Sequence, residues 1–189
     1  MEIFLLRHAE TETNREGGLA TGSDDALTEH GHHQAQSIIE GLLALEIDSI
    51  LSSPYPRALE TVRPFSEFAK KNIEVHSCLA EGQLLLSGSH DEEEPKYFSH
   101  GAGYDYPSQN ETGGAFLARV RRTKEVILSQ PCQRILVVTH GHMLRELINN
   151  ILALPHKVRF PHENCGLTHV TIGEVIMVNC INRPMCFNK

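Results

Sequence analysis

Three short polar clusters hold the side chains with chemistry to offer. They are Arg7-His8, Ser52-Ser53-Pro54-Tyr55-Pro56-Arg57 and Thr139-His140-Gly141-His142. Two guanidiniums, each a rigid fork of donors, suit a phosphate or carboxylate bound through paired hydrogen bonds. A histidine beside them can act as nucleophile or proton carrier. Taken singly, each has a plainer reading. Arg7-His8 alone is incidental, Arg57 alone a solvated helix residue, and His140 alone a hydrogen-bonded core histidine. Their shared placement is harder to set aside, because each cluster directly follows a short apolar run, at 3–6, 49–51 and 135–138.

Those runs are predicted strands, with 134–139 the most continuous and the most β-branched. Residues 73–76 make a further strand. Between them lie helical patterns. One follows Thr28 and carries Ala35, Ile38, Ile39, Leu42 and Leu43. A second starts at Pro54 and Pro56 and carries Ala58, Val62, Phe65 and Phe68 or Ala69. A third runs from Gly114 through Phe116, Leu117, Val120, Val126 and Ile127, and a fourth covers 142–154. Two last strands, 167–172 and 175–180, flank a Gly173-Glu174 turn. Alternating strands and helices predict a three-layer α/β/α sandwich around a mostly parallel sheet, mixed because the last hairpin is antiparallel. Such sheets bind ligands beyond the carboxyl ends of their strands, so the three clusters should share one edge. Each cluster also opens toward a helix N-terminus, which favours an anion.

The chain has 189 residues, a length that predicts one domain spanning 1–189. Residues 82–112 lose periodicity and form a predicted lid or insertion within it. A net charge of −7 argues against a general nucleic-acid binder. No apolar run is long enough to span a membrane. The N-terminus lacks the basic flank of a signal peptide. Five cysteines without a CxxC pair read as reduced thiols of a cytoplasmic protein.

Leu6-Arg7-His8-Ala9-Glu10-Thr11, with Asn14 six residues after His8, resembles the signature of the histidine phosphatase superfamily, the phosphoglycerate-mutase-like fold. Thr21-Gly22, Asp25-Ala26-Leu27-Thr28, Gly31 and Gln34-Ala35 continue that pattern. Ser52-Ser53-Pro54 through Arg57-Ala58 and Glu60-Thr61 resembles its second segment, and Leu79-Ala80-Glu81 the segment that supplies an acid. Asn110-Glu111-Thr112, leading to Phe116 and Arg119, resembles its Gly-Glu-Ser helix start. Val137-Val138-Thr139-His140-Gly141 matches its second histidine. The resemblance implies a phosphohistidine mechanism without metal or other cofactor. His8 would be the nucleophile. Arg7, Arg57 and His140 would clamp the phosphoryl oxygens, and Glu81 would be the acid, with Glu111 as the alternative. Asn14, Thr21, Gly22, Gly141 and His142 would contact substrate.

The resemblance leaves the reaction open between hydrolysis and phosphoryl shift. Residues 82–110 hold Asp91, Glu92, Glu93, Glu94 and Asp105 against Lys96 alone. That charge would repel a second phosphate if it faced the site, although Arg119, Arg121 or Arg122 could reach in. The expected function is therefore hydrolysis of a small phosphate monoester. A phosphohistidine or phosphoprotein phosphatase is one alternative, suggested by Ala9, which resembles the short phosphohistidine phosphatases. A mutase is another, and a non-catalytic phosphate-binding module ranks below both. A metallohydrolase built on His30, His32 and His33 also ranks low, because these read as an exposed helix start.

Overall fold

The computed structural model describes residues 1–18, 25–82, 93–99, 104–107, 110–156 and 158–185. Thr21, Gly22 and most of the expected lid lie outside them. The strands are β1 (Glu2–Arg7), β2 (Ser49–Ser52), β3 (Ile73–Val75), β4 (Tyr97–Ser99), β5 (Asp105–Pro107), β6 (Arg134–Thr139), β7 (Gly166–Ile172) and β8 (Ile176–Pro184). The helices are α1 (Glu12–Arg15), α2 (Glu29–Ser37), α3 (Ile39–Leu43), α4 (Pro56–Ala69), α5 (Gly113–Leu128) and α6 (Gly141–Ile151). Six strands form one sheet in the order β3-β2-β6-β1-β7-β8, and β4 pairs with β5 separately. β3, β2, β6 and β1 run parallel, while β7 and β8 are antiparallel. The sheet is mixed and mostly parallel with helices packed on it, as expected.

Side chains alternate across each strand, so one strand feeds two cores. Ile3, Leu5, Leu51, Ile135 and Val137 pack with Phe116, Val120 and Ile127 of α5 and Met143, Leu144 and Leu147 of α6. Phe4, Leu6, Ile50, Leu136 and Val138 point the other way, onto Leu27, Ile38, Leu42 and the α4 residues Ala58, Val62 and Phe65. Register then fixes the site. Leu6 pairs with Val138, and Ser52 pairs with the same Val138, so three strands end flush. His8, Ser53 and His140 are the residues that follow.

The helix expected after Thr28 is two helices. Ser37 Oγ donates to the Gln34 carbonyl at 2.9 Å. Such back-bonding by serine bends helices, and the break falls at the next residue, Ile38. The apolar stripe survives it, since Ile38 and Leu42 are both fully buried. Thr28 caps α2, its Oγ1 accepting from Gly31 N at 2.9 Å. That hydroxyl also donates to Glu10 Oε1 at 2.7 Å, and Thr28 N donates to Glu10 O at 3.0 Å. The start of α2 thus sits directly on the loop that follows His8. A Cβ on Gly31 would stand 2.1 Å from the Glu10 carbonyl oxygen. Gly31→Ala should therefore cost roughly 1–3 kcal/mol, since a packed backbone has to move. Calorimetry should show a lowered Tm, and an unchanged Tm would refute the close approach.

Candidate active site

His8 lies at the carboxyl end of β1, only 2% exposed. Its Nδ1 is 2.7 Å from the Ala9 carbonyl oxygen, an acceptor that assigns the proton to Nδ1 and leaves the lone pair on Nε2. Burial, then Arg57 and then Arg7, hold its pKa well below the usual histidine value. The imidazole is therefore neutral, as a nucleophile must be. The loop that carries it is tied down on both sides. Ala9 N donates to Thr61 Oγ1 at 2.8 Å, and that hydroxyl donates to the Arg57 carbonyl at 2.6 Å.

His140 caps α6, with its ring centroid 5.1 Å from that of His8. Arg57 Nε donates to His140 Nδ1 at 3.2 Å, so the His140 proton is on Nε2, which faces Ser53 Oγ at 2.7 Å. Burial, Arg57, His8 and Arg7 lower its pKa strongly as well. Arg57 is completely buried in the first turn of α4, where Pro56 opens the helix. Its guanidinium lies 4.8 Å from the Tyr55 ring centroid. Arg7 Nη1 donates to the His162 carbonyl at 2.5 Å, while Arg7 Nε is buried with no partner among the described residues. Gly141 lies over that nitrogen, the nearest atom to a notional Cβ there being Arg7 Nε at 3.8 Å.

Glu81 reaches the same place from the turn after β3. Its Oε1 accepts from Gly82 N at 3.0 Å and Met143 N at 3.1 Å, and its Oε2 from His142 N at 3.2 Å. The free N–H groups of a helix start hold an anion in this way. Its charge acts on both arginines, raising the pKa of Arg7 and of Arg57 against the effect of burial. His142 Nδ1 lies 3.0 Å from the Gly82 carbonyl oxygen, closing the turn. The alternative acid, Glu111, is committed elsewhere. Its two oxygens take Arg119 Nε at 2.8 Å and Nη2 at 2.5 Å. Arg119 is fully buried by this pairing, so the expectation that it could reach a second phosphate is not met.

Asn14 ends near His8 through an intermediary. Asn164 Nδ2 donates to Asn14 Oδ1 at 2.9 Å and to the His8 carbonyl at 3.0 Å. Asn164 and His162 were not foreseen as site residues. They precede β7, and an antiparallel strand begins at the edge where its parallel neighbours end. Leu167 pairs with Leu6, which puts residues 162–165 against Arg7 and His8. The predicted antiparallel hairpin was the signal that could have located them. His162 is neutral too, lowered by burial, its Nδ1 2.9 Å from Phe160 O and its Nε2 2.7 Å from Thr168 Oγ1. The β4–β5 hairpin touches the site through Tyr106, whose ring meets Tyr55 edge-on at 5.2 Å. Tyr55 in turn lies 5.1 Å from His140. Glu93, Glu94 and Asp105 are exposed, and Asp91 and Glu92 lie outside the described residues. His30, His32 and His33 are exposed on α2.

A buried pair of neutral imidazoles between two guanidiniums, faced by a carboxylate, is built to take a phosphoryl group. Residues 3–175 match the family model of the histidine phosphatase superfamily (branch 1), and the chain belongs to that superfamily. Its relatives are named both as mutases and as phosphatases, which makes this a phosphatase- or mutase-type enzyme. A probable phosphoglycerate mutase of Serratia proteamaculans is 28% identical over 181 residues, covering 90% of this chain and 84% of the relative. A probable phosphatase of Schizosaccharomyces pombe is 28% identical over 197 residues, covering 94% of this chain and 68% of the relative. Among solved structures, the α-ribazole phosphatase of Shigella flexneri superposes with a TM-score of 0.75 at 22% identity, over 100% of this chain and 99% of that one. Among the described residues, no helix is long and apolar enough to cross a membrane.

The three neutral histidines make stability depend on acid. His8, His140 and His162 all have lowered pKa values in the folded chain, so the unfolded chain binds more protons as pH falls below about 6.5. Their stabilisation is complete above that pH and is lost on descending toward the folded values, at up to about 1.4 kcal/mol per pH unit for each. Thermal unfolding should therefore show Tm falling between about pH 7.5 and about pH 5.5. A flat Tm would contradict neutral burial of these rings.

Proposed function

We propose that this chain hydrolyses small phosphate monoesters through a phosphohistidine on His8, without a metal ion. The observation that carries the reading is His8 itself, neutral, with its lone pair on Nε2, under the influence of the fully buried Arg57 and the partly buried Arg7. In the first step Nε2 attacks phosphorus while the P–O bond to the leaving group breaks. Glu81, a carboxylate in the free site, takes up a proton from solvent as the substrate anion enters and gives that proton to the departing oxygen. In the second step Glu81 takes a proton from water, whose oxygen attacks phosphorus as the P–N bond breaks. Inorganic phosphate leaves, Glu81 returns the proton taken from water to solvent, and His8 and Glu81 regain their starting states.

Arg7 and Arg57 neutralise the phosphoryl oxygens, and the partnerless Arg7 Nε is a donor ready for one of them. His140 orients Arg57 through Nδ1 and turns its Nε2–H from Ser53 to the phosphoryl group when substrate binds. The Nδ2 of Asn14 adds a further donor, its Oδ1 being occupied by Asn164. Gly141 and His142 line the substrate side of the single domain, while Thr21, Gly22 and most of residues 82–112 lie outside the described residues. Hydrolysis is favoured over phosphoryl shift because Arg119, one of the three arginines that could hold a second anion, is spent on Glu111 and on backbone carbonyls.

The test is hydrolysis of p-nitrophenyl phosphate in excess chelator. The wild type should be active, His8→Ala inactive, and acid-labile phosphate should be trapped on His8 by rapid quenching. Arg57→Met should lower kcat by about 10²–10³. Activity that survives His8→Ala, or vanishes with chelator, would overturn the mechanism.

A further inference from the structure

We propose that Arg119 is a positioning residue for proton transfer: it holds the turn that aims Glu81 at the leaving oxygen. The inference rests on the reading of Glu81 as the acid. Arg119 projects from the middle of α5, is wholly buried, and does not touch His8, Arg7 or Arg57 through any hydrogen bond described above. Its fork is divided between two tasks. Nη1 donates to the carbonyls of Cys78 at 3.1 Å and Ala80 at 2.5 Å, and Nη2 to the carbonyl of Glu81 at 3.0 Å. Nε and Nη2 also hold the Glu111 carboxylate.

The remaining carbonyl of the turn is pinned as well. Thr139 Oγ1, at the end of β6, donates to Leu79 O at 2.5 Å. Thr123, one turn beyond Arg119, donates to Cys78 O at 2.9 Å. Side chains thus hold four successive carbonyls, 78 to 81, where the turn has left the sheet and strand pairing no longer fixes it. Satisfying buried carbonyls needs donors of some kind. A single planar fork reaching three of them fixes their relative positions, which separate donors would not. Among the described residues, the carboxylate at the end of the turn is held by N–H groups, those of Gly82, His142 and Met143. A donor set of that kind tolerates a displaced carboxylate poorly, since hydrogen bonds weaken steeply with angle. The Glu111 charge lets Arg119 stay buried and ionised and ties the turn to the start of α5.

The chemistry supplies a readout that folding alone would not move. An acid matters most when the leaving oxygen is a poor leaving group. An alkyl phosphate needs the proton, whereas p-nitrophenolate departs nearly as well without it. The experiment compares kcat/KM for p-nitrophenyl phosphate with kcat/KM for an alkyl phosphate in wild type, Glu81→Gln, Arg119→Lys, and the double variant R119M/E111L. Lysine keeps the charge without the fork. The double variant removes the pair without stranding a buried charge. The ratio of the two constants in one sample cancels the fraction of protein that is folded. Glu81→Gln should raise the ratio at least a hundredfold, and both Arg119 variants should raise it tenfold or more. If Glu81→Gln raises the ratio while both Arg119 variants stay within twofold of wild type, Arg119 is merely structural and the inference is overturned. If Glu81→Gln leaves the ratio unchanged, the assignment of the acid is wrong and the inference falls with it.

Discussion

Four groups that would carry positive charge in acid, Arg7, Arg57, His8 and His140, share one buried space, and they can do so only because the two imidazoles stay neutral. Mutual repulsion and loss of solvent act in the same direction on both rings. The guanidiniums keep their charge, and the rings give theirs up. That division decides the chemistry. A neutral ring has a lone pair to offer, and a charged fork has donors for the oxygens around it. Hydrogen bonds then choose the tautomers. The Ala9 carbonyl takes the Nδ1 proton of His8, while Arg57 occupies Nδ1 of His140 and leaves the proton on its other nitrogen. The same histidine type has opposite tautomers 5.1 Å apart because its neighbours differ.

The rest of the fold maintains this arrangement. Three parallel strands ending in one row put His8, Ser53 and His140 side by side. β7, running the other way, brings its leading loop under Arg7 and His8. Glu81 provides the opposing charge, held by the first turn of α6, so the residues of one helix start serve both Glu81 and His140. The packing beneath is rigid. Both faces of the sheet are filled by fully buried aliphatic side chains, and the strand ends have little freedom to separate.

Much of the scaffold was legible from periodicity. Each strand of the main sheet was located to within a few residues, because alternating or continuous apolar runs leave little else to choose. The long stripe after Thr28 was read as one helix. Its break at Ile38 comes from the serine hydroxyl at 37, a competition with the backbone that hydrophobic spacing does not register. The tyrosine pair is a different case. Tyr55 and Tyr106 are 51 residues apart in sequence, and their edge-on contact follows from where the β4–β5 hairpin lands.

By itself, the sequence determined that Arg7, His8 and His140 stand at the ends of apolar runs, and that Arg57 lies in the polar cluster that follows another. In a parallel sheet that fact alone brings them to one edge, since strand ends are local features and the sheet aligns them. The residues themselves did not separate Glu81 from Glu111, and only the family resemblance put Glu81 first. Both are acids in polar turns, and what separates them is which one finds Arg119 and which one finds the free N–H groups of α6. The role of residues 162–165 was likewise set by β7 pairing with β1, a contact between opposite ends of the chain. Protonation was decided last of all, because a histidine's tautomer depends on the partners that surround it only once the chain has folded.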